Sequence, residues 1–254
     1  MSWFPVWTGK PGGDIMRSAC AIVWDLDGTL YRGTEALRAY ARALASRLEG
    51  TQAVTFAAYS EAVITRPQTV APYRDLWNAL TRAAHECGLS YEEANTVFVE
   101  IRRQIIRGTL AVQVPKGVVE RITDLDREGL SMAVVTNSDG RSGRALLRSL
   151  GLGALVHRMQ ANAMKPAGFA PAVRRLFPGL LSGAILSVGD NYPNDVAPAL
   201  DAGMAAVHVH TPGALTGPVT LRVSRLEEAL PWIEQWVRSG EVGEAAAGFG
   251  PPVS

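Results

Sequence analysis

The chain is predicted to be an α/β protein: a parallel sheet with helices on both faces, interrupted after its first strand by an all-helical insertion. Three observations predict this. Short apolar runs with β-branched members, Ala21–Trp24, Leu130–Val135 and Ala184–Val188, have the composition of strands buried on both faces. From Pro115 onward such runs alternate with helical periods, the pattern of βα units. Between Gly33 and about Val112 there are only helical periods, so that stretch must sit between strand one and the rest of the sheet.

Taken in order, Ala21–Trp24 runs into Asp25-Leu26-Asp27-Gly28-Thr29-Leu30, where Gly28 permits a sharp turn. Thr34 is a fair N-cap for a helix carrying Leu37, Tyr40, Ala41, Leu44 and Leu48 and ending at Gly50. A second helix follows Thr55 and breaks at Arg66-Pro67-Gln68. A third spans about Tyr73 to Cys87. A fourth opens on the capping box Ser90/Glu93 and stops at Gly108. Past Pro115, a helix with Val118, Ile122 and Leu125 leads to the strand Leu130–Val135. A helix over Arg141–Leu150 precedes a weak strand around Val156–Met159 and a short helix near Ala170–Phe177. The strand Ala184–Val188 stops at Gly189-Asp190. A helix over Asp195–Asp201, a strand over Ala205–His210 and a last helix with Leu226, Leu230, Ile233 and Val237, opened by a box of Ser224 and Glu227, complete the series.

Composition narrows the function. With 254 residues the chain can bury a large core, and a net charge of +1 supplies no general attraction for nucleic acid or membrane. Cys20 and Cys87 fall in apolar patterns, as small core residues do. The four histidines show no ligand spacing. No apolar run approaches the roughly 20 residues that span a bilayer. The first fifteen residues lack a basic start followed by an apolar block, and a cytoplasmic location is expected.

Polar residues collect where the predicted strands end: Asp25 and Asp27; Thr136 and Asn137; Asp190, with Asn194 and Asp195 just beyond; and Lys165 in a loop. In a parallel sheet these ends share one edge, where ligands bind. Four carboxylates gathered there call for a hard divalent cation with oxygen ligands, which suits Mg²⁺. A lysine, a hydroxyl and free backbone N–H groups suit an anion, and the set together suits phosphoryl transfer. Each residue alone has a plainer reading: Asp-Gly as a turn, Thr136-Asn137-Ser138 or Asp195 as a helix cap, Lys165 as a solvated lysine. The ordered set outweighs them.

In order, Asp25-Leu26-Asp27-Gly28-Thr29, Thr136-Asn137-Ser138, Lys165-Pro166 and Gly189-Asp190-Asn191-Tyr192-Pro193-Asn194-Asp195 resemble the four motifs of the haloacid dehalogenase superfamily, over roughly Ser18 to Val237. A helical cap between motifs one and two is similar to the phosphoglycolate-phosphatase and phosphoglucomutase-like branch. Trp24 and Ala167 depart from the usual pattern without touching the chemistry. The resemblance implies a Rossmann-like core over 18–32 and 113–238 and a cap over 33–112; composition alone marks 1–17 as a flexible arm and the Gly-, Ala- and Pro-rich 239–254 as a disordered tail. The resemblance also implies that Asp25 attacks phosphorus, that Asp27 protonates the leaving oxygen and then activates water, and that Lys165 neutralises charge. Thr136, Asn137 and Lys165 would bind the phosphoryl group. Asp25, Asp27 (through its backbone carbonyl), Asp190 and Asp195 would form the Mg²⁺ site, with Asp195 also placed to orient Lys165. The implied activity is hydrolysis of a small phosphorylated metabolite by a monomer or homodimer. Phosphomutase, 2-haloacid dehalogenase and non-enzymatic phosphoacceptor are the alternatives. Asp27 is expected to have an intermediate affinity for protons, and Arg66, Tyr73 and Arg74 to face the substrate from a mobile lid hinged at Arg32-Gly33 and 112–116.

Overall fold

The computed structural model describes residues 20–239. The arm over 1–17 and the tail from 240 lie outside the described residues. Ser239, placed in that tail by the sequence, ends the last helix.

Six strands form one sheet: β1 (Ala21–Trp24), β2 (Ser131–Val135), β3 (Met159–Gln160), β4 (Ile185–Gly189), β5 (Ala205–Val209) and β6 (Leu221–Val223). Their order is β3-β2-β1-β4-β5-β6, and every pairing is parallel. β1 is therefore central, its Trp24 level with Val134 on one side and Val188 on the other. Alternation along β1 builds the two layers. Ile22 and Trp24 join one apolar cluster with α5 (Val118–Arg127), α6 (Gly140–Ser149) and α9 (Leu226–Ser239). Ala21 and Val23 face the other cluster, with α7 (Phe169–Leu176) and α8 (Ala197–Asp201). This is the Rossmann-like arrangement the sequence predicts.

Between β1 and α5 lie α1 (Thr34–Ala45), α2 (Gly50–Thr65), α3 (Leu76–Glu86) and α4 (Tyr91–Ile106). Their apolar faces belong to the same cluster as Ile22 and Trp24, so burial runs unbroken from sheet to insertion. The Ser90/Glu93 capping box forms as expected. The chain leaves and re-enters the core side by side: Arg32 N–H donates to Gln113 O at 2.9 Å, and Gln113 N–H to Arg32 O at 2.7 Å.

Several boundaries differ from expectation. α1 stops at Ala45, and Gly50 begins α2 instead of closing α1. Glu228, not Glu227, accepts the Ser224 N–H ahead of α9. The short edge strand β6 has too little apolar pattern to be read from sequence: Leu221 and Val223 are only half-buried. A π-turn over Tyr192–Val196 precedes α8, holding Asp195 below the strand end. No helix among the described residues is long and apolar enough to cross a membrane.

Candidate active site

Because every strand is parallel, the carboxyl ends of β1, β2 and β4 deliver their following residues to one edge of the sheet. Asp25 follows β1 directly and its backbone N–H still bonds Val188 O at 2.9 Å, which fixes where its side chain leaves the sheet. Gly28, at φ +91°, then turns the chain. A Cβ on Gly28 would collide with the Asp190 carboxylate. Gly28→Ala combines that collision with a positive φ and is expected to cost about 1–3 kcal/mol. Denaturant unfolding would measure it, and a metal titration should register weakened binding as Asp190 is displaced.

Asp25, Asp190 and Asp195 are buried and place one carboxylate oxygen each within 4.8 Å of one another. Thr29 Oγ1 lies 3.2 Å from Asp25 Oδ2 and 3.4 Å from Asp190 Oδ1. Lys165 Nζ donates to Asp25 Oδ1 at 2.7 Å, to Asp195 Oδ1 at 2.5 Å and to Val135 O at 2.8 Å. Burial alone would lower the Lys165 ammonium's proton affinity, but the Asp195 and Asp25 carboxylates outweigh it and keep the lysine charged. Burial pushes Asp25 up to about 7 against the pull of Lys165, with Asp195 and Asp27 adding to the rise. Asp190 is driven well above the carboxylate range by burial and then by Asp25, Asp75 and Asp195. One ammonium does not balance three crowded acids. An oxygen-only donor set under this repulsion fits a hard divalent cation.

The side chain of Asp27 stands apart from that cluster. Tyr31 OH donates to its Oδ1 at 2.6 Å and Ser138 Oγ to its Oδ2 at 2.7 Å. Arg102 of α4 forms an ion pair with Oδ1 and also donates from Nη2 to Ser138 Oγ at 3.2 Å. Burial would raise the Asp27 carboxyl, but the Arg102 guanidinium and the hydrogen bonds from Tyr31, Arg102 and Ser138 hold it below the ordinary range. The expectation of an intermediate proton affinity is thus corrected: a buried arginine from the insertion favours the ionised form.

The remaining predicted residues take distinct places. Thr136 is buried and its Oγ1 accepts the Ser138 N–H at 3.1 Å. Both ends of the Asn137 amide engage Lys165 backbone, Oδ1 accepting its N–H at 2.7 Å and Nδ2 donating to its carbonyl at 3.3 Å. Asn137 therefore anchors the lysine loop. Asp195 accepts the Asn191 N–H at 3.1 Å through its second oxygen. Arg74 lines the cavity above the site; Arg66 and Tyr73 are not among the lining residues.

Sequence reading missed Arg102, Ser138 and Asp75. Arg102 is only 2 % exposed, with its guanidinium 5.0 Å from the Phe98 ring centre. Its signal was a charge on the apolar stripe of α4, between Ile101 and Ile105. Asp75 caps α3 by accepting the Asn78 N–H at 2.7 Å and accepts from Asn191 Nδ2 at 2.5 Å. Its position before an apolar helix reads as a cap alone.

A cavity of about 580 Å³ opens over these groups, floored by the strand-end residues and walled by α1, α3 and α4. The parallel α/β core thus sets a buried acid cluster beside a carboxylate-bound lysine on the floor of this cavity. The chain belongs to the haloacid dehalogenase-like hydrolase family, whose family model matches residues 21–203. No curated protein matches it in sequence. Among solved structures it is similar to a predicted phosphoglycolate phosphatase from Haemophilus somnus 129PT, with 22 % identity, TM-score 0.54 and coverage of 85 % of this chain and 98 % of that one. A putative HAD-hydrolase from Bacillus subtilis bound to magnesium gives 18 %, 0.55, 85 % and 98 %. An L-2-haloacid dehalogenase gives 18 %, 0.53, 85 % and 98 %. These likenesses establish the fold.

Proposed function

We propose that this chain is a Mg²⁺-dependent phosphatase that hydrolyses a small phosphate monoester through an aspartyl phosphate on Asp25. The observation that carries the reading is the Asp27 side chain. It stands two residues past Asp25, yet Tyr31, Ser138 and Arg102 hold it away from the acidic cluster. A carboxyl kept off the metal position is available to a leaving oxygen. A halide departs without a proton and gives such a group no task.

In this reading, an Asp25 carboxylate oxygen attacks phosphorus, a P–O bond to Asp25 forms and the ester P–O bond breaks. The leaving alkoxide takes a proton from Asp27. Ionised Asp27 then accepts a proton from water as that water attacks phosphorus, releasing inorganic phosphate and free Asp25. The Arg102 pair favours the ionised state required for this second step, so the first step requires that pair to loosen. Lys165 holds Asp25 in place and offsets charge on the transferring group. Thr136 is positioned for a phosphoryl oxygen, and Asn137 acts through Lys165. Asp25, Asp190 and the Asp27 carbonyl would hold Mg²⁺, with Asp195 orienting Lys165 beside it. The bound cation supplies Lewis-acid neutralisation of the phosphoryl oxygens. The partner is a small phosphorylated metabolite; a net charge of +1 offers nothing that would draw nucleic acid or a membrane surface.

The test is phosphate release from an aryl phosphate. Excess chelator should abolish it and Mg²⁺ restore it. Asp190→Ala should raise the Mg²⁺ concentration needed for half-maximal rate, with a matching loss of Mg²⁺-induced thermal stabilisation. Undiminished turnover in excess chelator would contradict the proposal.

A further inference from the structure

The insertion meets the core at a second junction, distant in sequence from its two connecting segments. Tyr73 O accepts the Leu215 N–H at 2.7 Å, and Tyr73 OH donates to Pro212 O at 2.9 Å. The two chains approach so closely there that a Cβ on Gly213 would collide with the Pro67 carbonyl. Two residues past Tyr73 stands Asp75, an acid of the cavity lining that is neither nucleophile, proton donor nor metal ligand. Its two oxygens have different partners. Oδ1 caps α3 through the Asn78 N–H, and Oδ2 reaches the core, accepting from Asn191 Nδ2 at 2.5 Å.

Asn191 is buried and lies between Asp190 and the π-turn. Its Oδ1 accepts the Asn194 N–H at 3.2 Å, and its carbonyl accepts the Asp195 N–H at 2.9 Å. Its own N–H donates to Asp195 Oδ2 at 3.1 Å. Asp195 Oδ1 in turn holds Lys165 Nζ, and Lys165 Nζ holds Asp25. An unbroken run of hydrogen bonds therefore leads from the insertion, through the loop after β4, to the nucleophile. A buried amide deprived of its acceptor seeks another, and turning the Asn191 amide would re-aim that loop.

We propose that Asp75 is a positioning residue for the phosphoryl-transfer site. The seated insertion uses it to fix Asn191, and through Asn191 the Asp195 carboxylate and the Lys165 ammonium that hold Asp25. The site is then complete only with the insertion in place. Orientation of this kind is felt most in the transition state, so its loss appears in kcat more than in KM. This rests on the phosphoester reading and adds a residue to it.

The experiment separates the two oxygens of Asp75. Asp75→Ser keeps an N-cap oxygen for the Asn78 N–H but has no second oxygen for Asn191. It should lower kcat for an aryl phosphate with Mg²⁺ about 10–10²-fold while KM stays within about threefold. In the metal-free protein it should speed hydrogen exchange at the Asn194 and Asp195 amides about tenfold. Asn191→Asp keeps the oxygen that accepts the Asn194 N–H but sets a carboxylate against Asp75, and it should lower kcat at least as much. Adding Asp75→Asn to Asn191→Asp remakes the bond with donor and acceptor exchanged. That double variant should recover kcat to within about threefold of wild type and slow the amide exchange again. A pure field effect would send Asp75→Ser, which removes a charge, and Asn191→Asp, which adds one, in opposite directions. Opposite changes in kcat, full kcat in folded Asp75→Ser, or a double variant no better than Asn191→Asp would overturn the proposal. If no ester releases phosphate, the phosphatase reading falls and exchange decides. Faster exchange in Asp75→Ser with recovery in the exchanged pair still supports positioning by Asp75; unchanged exchange, or no recovery, overturns it.

Discussion

Asp25→Asn is expected to lower phosphate release by roughly 10⁴–10⁶-fold while leaving the fold intact. The substitution removes the nucleophile and one member of the acid cluster together. Its structural cost is small because Lys165 keeps Asp195 and the Val135 carbonyl as partners. It also relieves a like-charge contact: burial and the neighbouring Asp195 and Asp27 hold Asp25 up at about 7. Without divalent cation the variant should therefore melt at or above the wild-type temperature, and the Mg²⁺-induced rise should shrink. Rapid quench with a labelled ester should find phosphorylated wild type and no labelled variant. Ordinary turnover by a folded Asp25→Asn chain would remove Asp25 from the chemistry.

Asp27→Asn is the second large effect, and its signature is a pattern across substrates. An alkoxide is a poor leaving group, so its departure gains about 10²–10⁴-fold from a placed acid. An activated aryl oxide gains far less. The variant should slow alkyl phosphates by about that range and an activated aryl phosphate much less. It should also let phosphorylated Asp25 accumulate, because water then lacks its base. Asparagine can still accept from Tyr31 and Arg102, but it strips the buried Arg102 of its counter-charge, so the variant should also lose about 3–5 kcal/mol of stability, and the rates are compared on folded protein. Uniform slowing across the leaving-group series would mean that Asp27 acts through the metal or the fold alone. Halide release from a 2-haloacid by the wild type, with no phosphate from any ester, would replace phosphatase by dehalogenase.

Much of this site was legible because it follows from strand ends. The unbroken run Ala21–Trp24 announces a strand buried on both faces, and in a parallel sheet its carboxyl end shares an edge with those of β2 and β4. Asp25, Thr136 and Asp190 could thus be brought together from local pattern alone. Arg102 could not. It meets Asp27 across 75 residues of chain, and helical periodicity reports which face is buried, not which residue lies opposite. The same limit concealed Ser138's bond to Asp27 and Asp75's to Asn191. Boundaries failed where propensity and packing disagree: Gly50 looks like a stop, yet it opens α2. The lysine loop was found only through its place in an ordered set, since nothing local to Lys165 says that two carboxylates will close on it.

The two chain segments joining the insertion to the core are laced together by the reciprocal bonds between Arg32 and Gln113. Mechanically, two tethers riveted at one point do not behave as two independent strings. Neither can slide past the other without breaking both bonds, so translation of the insertion away from the sheet is resisted while a common bend is not. The pinned segment also carries the partner of Asp27: Arg102 lies near the end of α4, only a short stretch of chain before Gln113. Cutting the lacing at Arg32 or Gln113 would therefore loosen the chain that holds a charge against the site.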